Sequence, residues 1–140
     1  MTNKVNKKQK AILVDIHQTL LLKDGQVNSQ ILQLIQTLAK EYYLLGITAS
    51  YYASDDKFKH ELGSLTKLFD GLYYNSQEKE SLTNKKFKKS NENDRKIKLH
   101  LYKNQIMPIF DVIAIIDNNK HVCKGFIKVG VDAFRYKHGK

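Results

Sequence analysis

The chain has 140 residues, 41% of them hydrophobic, a size and composition suited to one domain with a sizeable core. It carries 24 Lys and Arg against 14 Asp and Glu, a net charge of +10, and no apolar run approaches the roughly 20 residues that a membrane-spanning helix needs. The single cysteine, Cys123, excludes an internal disulfide and fits a reducing compartment.

Residues 1–10 are polar and basic, without the apolar stretch of a secretory signal. They read as a flexible basic arm ahead of one domain over residues 11–140, in a protein expected to be cytoplasmic. Ala11-Ile-Leu-Val-Asp15 is a short apolar run ending in a carboxylate, the pattern of a buried parallel strand delivering a reactive group to its C-terminal edge. Lys23-Asp-Gly-Gln marks a turn. Ser29 is placed to cap a helix reaching to about residue 43, with Ile31, Ile35, Leu38 and Tyr42 on one face and Gly46 to end it. Residues 47–52 read as a second strand, and Ser54-Asp-Asp as the start of the next helix.

A short third strand is expected at 72–74. Residues 75–93 are polar, basic and aperiodic, and read mostly as loop. A helix is expected from Asp94 to about residue 107, with Ile97, Lys98 and Leu101 in its first turns and Pro108 closing it. Residues 110–117 form a fourth apolar strand, again ending in a carboxylate, Asp117. A helix over 120–128 and a strand near 133–136 complete the chain. Strands alternating with helices predict an α/β protein with a parallel sheet of about five strands covered on both faces.

Asp15 and Asp117 would then end neighbouring strands. Ligands of open α/β sheets bind at the carboxyl ends of the strands, and two acids there can hold Mg²⁺ through hard oxygen donors. Asp15 could also attack phosphorus and pass through an aspartyl-phosphate. Thr19 and Ser54 are short hydroxyl side chains suited to phosphate oxygens, and Lys98 would neutralise charge on a transferring phosphoryl group. Taken singly, each has a plainer reading, since an Asp at a strand end commonly caps a turn or helix. The five histidines lack the paired spacing of a zinc site, Cys123 reads as a structural thiol, and there is no phosphate-cradling Gly-x-x-x-x-Gly-Lys loop of a kinase.

The string Ile12-Leu-Val-Asp15-Ile-His17-Gln-Thr19-Leu20 resembles the first motif of haloacid-dehalogenase (HAD) phosphatases, an apolar strand followed by Asp-x-Asp-x-Thr-Leu. Phe110-Asp-Val-Ile-Ala-Ile-Ile-Asp117-Asn118 is similar to their fourth motif. Asp94-x-x-x-Lys98, with the following Ile106-Met-Pro-Ile-Phe-Asp-Val, resembles the 3′-phosphatase domain of phage polynucleotide kinases. The resemblance implies a Rossmann-like HAD fold with little or no cap and a Mg²⁺-dependent phosphomonoesterase. Asp15 would be nucleophile and metal ligand, Lys98 the phosphoryl-binding lysine, and Asp117 with Asn118 further metal ligands. Thr19, Ser54 and Asp94 would serve substrate binding, Asp94 by holding Lys98 or the metal's water shell. Three positions depart from the pattern. His17 stands where the family has its acid/base carboxylate, Asn118 where it has a second acid, and Gln18 where glycine is common.

Charge is clustered. Residues 79–103 carry nine basic and three acidic side chains, residues 120–140 six and one, while residues 11–78 are net negative. This suits nucleic acid, by polynucleotide 3′ ends or nucleotides as substrate, as well as it suits a solvated lysine-rich surface. Two further readings stand beside that one: a HAD-fold protein without catalysis that binds nucleic acid or assembles with a partner, and a phosphatase of small molecules.

Overall fold

The computed structural model describes residues 8–76 and 91–137. Five parallel strands form one sheet: β1 (Gln9–Asp15), β2 (Tyr43–Tyr51), β3 (Gly71–Asn75), β4 (Phe110–Asp117) and β5 (Asp132–Arg135), in the order β3-β2-β1-β4-β5. The chain winds outward from β1 to β3, then returns to β4 on the other side of β1. The strand order therefore reverses between β1 and β4, where open α/β sheets present their ligand crevice.

Both faces of the sheet are covered, which is why its central strands are apolar without alternation. Ala11 and Leu13 of β1 pack with Leu45, Ile47, Val112 and Ile115 under two helices, α3 (Asn91–Leu101) and α4 (Lys120–Lys128). Ile12, Val14 and Ile16 point the other way, toward Ile31 and Ile35 of α1 (Ser29–Leu38) and Phe58 and Leu62 of α2 (Asp55–Leu62). Each such buried Ile, Leu or Phe contributes about 1.5–3 kcal/mol from removal of apolar surface from water.

Several expected boundaries shift. The first strand begins at Gln9, so Gln9 and Lys10 belong to the sheet and not to an arm; residues 1–7 lie outside the described residues. Helix α1 is capped by Asn28, whose side chain accepts from the Gln30 and Ile31 N–H groups, and it ends at Leu38. Tyr43 to Gly46, read from the sequence as helix and stop, are strand. Gly46 lies in a tight place there: a Cβ would lie 2.9 Å from Leu72 Cδ2 and 3.2 Å from Ile16 Cδ1, and those side-chain ends would have to give. Helix α3 begins at Asn91 and runs on into a π-helical turn, Tyr102–Ile106, before Pro108. Most of the expected 75–93 loop falls outside the described residues. Among the described residues no helix is long and apolar enough to cross a membrane.

One irregularity positions the site. Between the pairs Ala11↔Val112 and Ile12↔Ala114 the β1–β4 register slips, leaving one extra residue in β4. Val112 shares the α3/α4 face with Ala11, and beyond the slip Ile115 shares it with Leu13. Uninterrupted alternation from Val112 would have turned Asp117 to the opposite face from Asp15. With the extra residue, both carboxylates reach the same face.

Candidate active site

Asp15 and Asp117 are 4% and 0% exposed, at the C-terminal ends of adjacent strands. From α3, Lys98 reaches between them, and its Nζ donates to Asp15 Oδ1 at 2.7 Å and to Asp117 Oδ2 at 2.7 Å. The remaining oxygens also have donors. Thr19 Oγ1 donates to Asp15 Oδ2 at 2.6 Å, and the Asn119 N–H donates to Asp117 Oδ1 at 2.9 Å. Helix α3 holds the lysine by burying Ile97 and Leu101 beside it in the core.

Two negative groups and one positive group in a buried place perturb one another. Burial works against the Lys98 charge, but Asp117 and Asp15 outweigh it and hold its pKa above the ordinary lysine value. Burial first, and then the charge of Asp15, push Asp117 up to about 7, with Lys98 opposing. Cys123, behind the strand end, is pushed up to about 11 by burial and by Asp117, which makes it an inert thiol.

The turn after β1 is braced internally. The Ile16 carbonyl accepts from the Leu20 and Leu21 N–H groups, the Asn28 side chain donates to the Thr19 carbonyl, and the Asn28 N–H bonds the Leu20 carbonyl. Gln18 sits at φ 66°, the left-handed region that favours glycine, at a cost on the order of 1 kcal/mol. Thr19 is fully buried, and its hydroxyl donates to Asp15.

His17 is drawn toward β2 and α2. Its Nδ1 lies 2.8 Å from Thr48 Oγ1 and 3.5 Å from Ser50 Oγ, and its Nε2 lies 3.1 Å from the Tyr52 hydroxyl and 3.5 Å from Glu61 Oε2. Tyr52 donates to Glu61 and stacks on Phe58, with ring centroids 4.5 Å apart. Burial and Glu61 keep the tyrosine hydroxyl protonated well beyond the ordinary range.

The structure thus brings Asp15, Thr19, Lys98 and Asp117 into one hydrogen-bonded group. Asn118 follows on the turn after β4, and Asp94 lies one turn before Lys98 on α3; both are half-buried. Ser54 stands apart: it is exposed and caps α2, accepting from the Lys57 N–H at 3.3 Å. The hydroxyls that β2 brings to the turn after β1 are Thr48 and Ser50. Their spacing of two, continued by Tyr52, is the signal that sequence reading passed over, since alternate residues of a strand share a face. Ser54→Ala is therefore expected to lower unfolding free energy by about 1 kcal/mol through loss of the cap, measured by urea unfolding, and to leave the Lys98 group intact.

The residues fit a hard divalent cation modestly. Two carboxylates retain lone pairs beyond those used by Lys98, Thr19 and Asn119, and Asn118 follows Asp117 in the chain. Among the described residues no group of three or more His, Cys, Asp or Glu is placed to hold a metal. Mg²⁺ suits so sparse a donor set, because it keeps several waters and commonly uses one or two carboxylates.

The five-stranded parallel sheet with acids at the strand-order reversal is an open, doubly wound α/β fold. No family model and no curated protein matches the chain, but solved structures do. A chain of the Pnkp1/Rnl/Hen1 RNA repair complex superposes with a TM-score of 0.74 at 18% identity, covering 96% of this chain and 44% of that one. A second structure of the Pnkp1/Rnl/Hen1 complex gives 0.74 at 19% identity, covering 96% and 48%. A HAD-family enzyme from Bacteroides thetaiotaomicron, an aspartate-to-alanine mutant in complex with magnesium and inorganic phosphate, gives 0.58 at 11% identity, covering 94% and 96%. The chain spans less than half of the RNA-repair chains it matches. At these identities the likeness shows the fold.

Proposed function

We propose that the protein is a Mg²⁺-dependent phosphomonoesterase that works through an aspartyl-phosphate on Asp15, with polynucleotide 3′ ends or nucleotides as substrate. The observation that carries this reading is Lys98, fully buried and held at 2.7 Å from both Asp15 and Asp117. A cation fixed between two acids at the ligand edge of the sheet does little for the fold that packed apolar groups would not do as well. It does fit a phosphoryl group arriving at Asp15.

In the first step an Asp15 oxygen forms a bond to phosphorus as the bond to the leaving oxygen breaks, and Lys98 offsets charge on the phosphoryl oxygens. The leaving oxygen takes a proton from His17. In the second step water attacks phosphorus, frees Asp15 and returns a proton to His17. Asp15, Asp117 and Asn118 would hold Mg²⁺, whose contribution when bound is to draw charge from the phosphoryl oxygens. For His17 to act, its ring must exchange Thr48 or Tyr52 for the substrate. The neighbours in the RNA repair complex and the HAD-family enzyme with magnesium and phosphate support the direction of this proposal. A small phosphate ester would show the same chemistry.

The clamp on His17 favours a second reading, a HAD-fold protein that binds nucleic acid or a partner without turnover. Mg²⁺ separates the two. Under the enzymatic reading, phosphate release from a 3′-phosphorylated oligonucleotide requires Mg²⁺, and more of it at low pH. Below about pH 7 a proton on Asp117 competes with the metal, so the half-saturating Mg²⁺ concentration should rise toward roughly tenfold per pH unit. No release from this oligonucleotide or from general phosphate esters at any pH between about 5 and 8, with Mg²⁺ in excess, would leave the binding reading standing.

A further inference from the structure

The sheet separates the charge that the sequence shows only as clusters. Helix α1, on one face, contains no charged residue, and α2 mixes Asp55, Asp56 and Glu61 with Lys57 and Lys59. On the other face, α4 carries Lys120, Lys124 and Lys128 and no acid. These three are exposed, four residues apart on the outer side of a helix whose Val122, Cys123 and Phe126 are buried. Each step along the row rises about 6 Å. Among the described residues none of the three is in an ion pair, whereas Arg95 of α3 is paired with Glu92, and Lys98 with Asp15 and Asp117.

Local physics does not explain the row. Like charges four apart on a helix repel. Lys120 also stands in the first turn, where the helix dipole disfavours a cation and the helix itself supplies no acid; Glu92 of α3 faces His121 there, 3.7 Å away. The row starts at the candidate active site, because Lys120 is three residues beyond Asp117. Arg135 of β5 is paired in register with Asp117 at the same strand ends. A row of cations that costs its own helix stability and leads away from a phosphate site has the form of a track for a phosphate backbone.

We infer that α4 is the seat of a single-stranded nucleic acid whose 3′ end lies at Asp15, with Arg135 and Lys120 at the entrance and Lys124 and Lys128 on the phosphates further along. The inference rests on the polynucleotide reading of the substrate and makes it specific. Contact is with the backbone, it is independent of base sequence, and it lies on the β4–β5 side of the site and not on the α2–β3 side.

The test measures binding and not turnover, so it is independent of whether the protein hydrolyses anything. A fluorescent single-stranded oligonucleotide ending in a 3′-hydroxyl is titrated without Mg²⁺ at several salt concentrations. The wild type is compared with K120Q/K124Q/K128Q, with the charge-keeping K120R/K124R/K128R, and with K57Q/K59Q/K67Q, which removes the same charge from the other face. Thermal melting verifies that each variant is folded. Single-strand binding loses about 0.7 in the slope of log affinity against log salt for each phosphate contact removed. The α4 glutamine variant should therefore lose about 2 in slope and bind roughly tenfold or more weakly at low salt, while the arginine and α2-side variants keep the wild-type slope. An unchanged slope in the α4 glutamine variant, or an equal loss in the α2-side variant, overturns the proposal. Binding by the wild type to anionic vesicles but not to the oligonucleotide overturns it as well.

Discussion

Replacing Lys98 with methionine is expected to destabilise the protein by about 3–5 kcal/mol near pH 8, the cost of leaving buried charge without its partner. Methionine preserves much of the volume, so the loss reports charge more than packing. The dependence on pH has a definite sign. Asp117 already has a raised pKa in the folded protein, so it favours folding while protonated, below the ordinary carboxylate range. That contribution is lost as pH rises through about 7. In the wild type Lys98 opposes the rise. Without the lysine, two carboxylates face each other in a buried place, and Asp117 loses the group that opposes its protonation. The destabilisation should therefore be least near pH 5 and grow toward pH 8, as read by urea unfolding at a series of pH values. A loss that is the same at both ends would mean that Lys98 acts through packing alone.

Asp15→Asn is expected to do the opposite: little to stability, and nearly everything to activity. Asparagine keeps an oxygen acceptor for Lys98, its amide N–H can donate to the Thr19 hydroxyl, and Lys98 stays paired with Asp117 at 2.7 Å. It also removes the negative charge that helps to hold Asp117 up, so the Asp117 pKa should fall. Loss of the nucleophile should lower Mg²⁺-dependent phosphate release by roughly 10⁴-fold or more, as for removal of a nucleophile in other covalent mechanisms. Steady-state release with matched unfolding curves measures both. A variant that unfolds together with its loss of activity would show only that Asp15 is structural.

Much of this arrangement was legible in the sequence, and the exceptions have physical causes. Ala11 to Asp15 and Phe110 to Asp117 read as strands because both faces are covered and every residue can be apolar. The same property hid the start of β2. Leu44, Leu45 and Ile47 do not alternate, and Ile31, Ile35, Leu38 and Tyr42 keep a helical spacing past the true end of α1. Gly46 was then taken for a helix stop when it sits inside β2, close against Leu72 and Ile16. The extra residue in β4 left no mark in composition, yet it decides that Asp117 shares a face with Asp15. Lys98 lies 83 residues from Asp15 in sequence, and only its place four residues after Asp94 suggested a role. The surroundings of His17 were not foreseen at all. Thr48 and Ser50 lie on β2, Tyr52 just past its end and Glu61 on α2, and none of the four was singled out in the sequence.

The proposed chemistry turns on transfer of the phosphoryl group to Asp15. The most direct measurement is a search for that adduct: the protein is mixed with a 3′-phosphorylated oligonucleotide and Mg²⁺, quenched in acid, digested and read by mass spectrometry. The account predicts a phosphoryl group on the peptide that contains Asp15, lost on treatment with hydroxylamine and absent from Asp15→Asn. Phosphate release that proceeds without the adduct and survives in Asp15→Asn would contradict it.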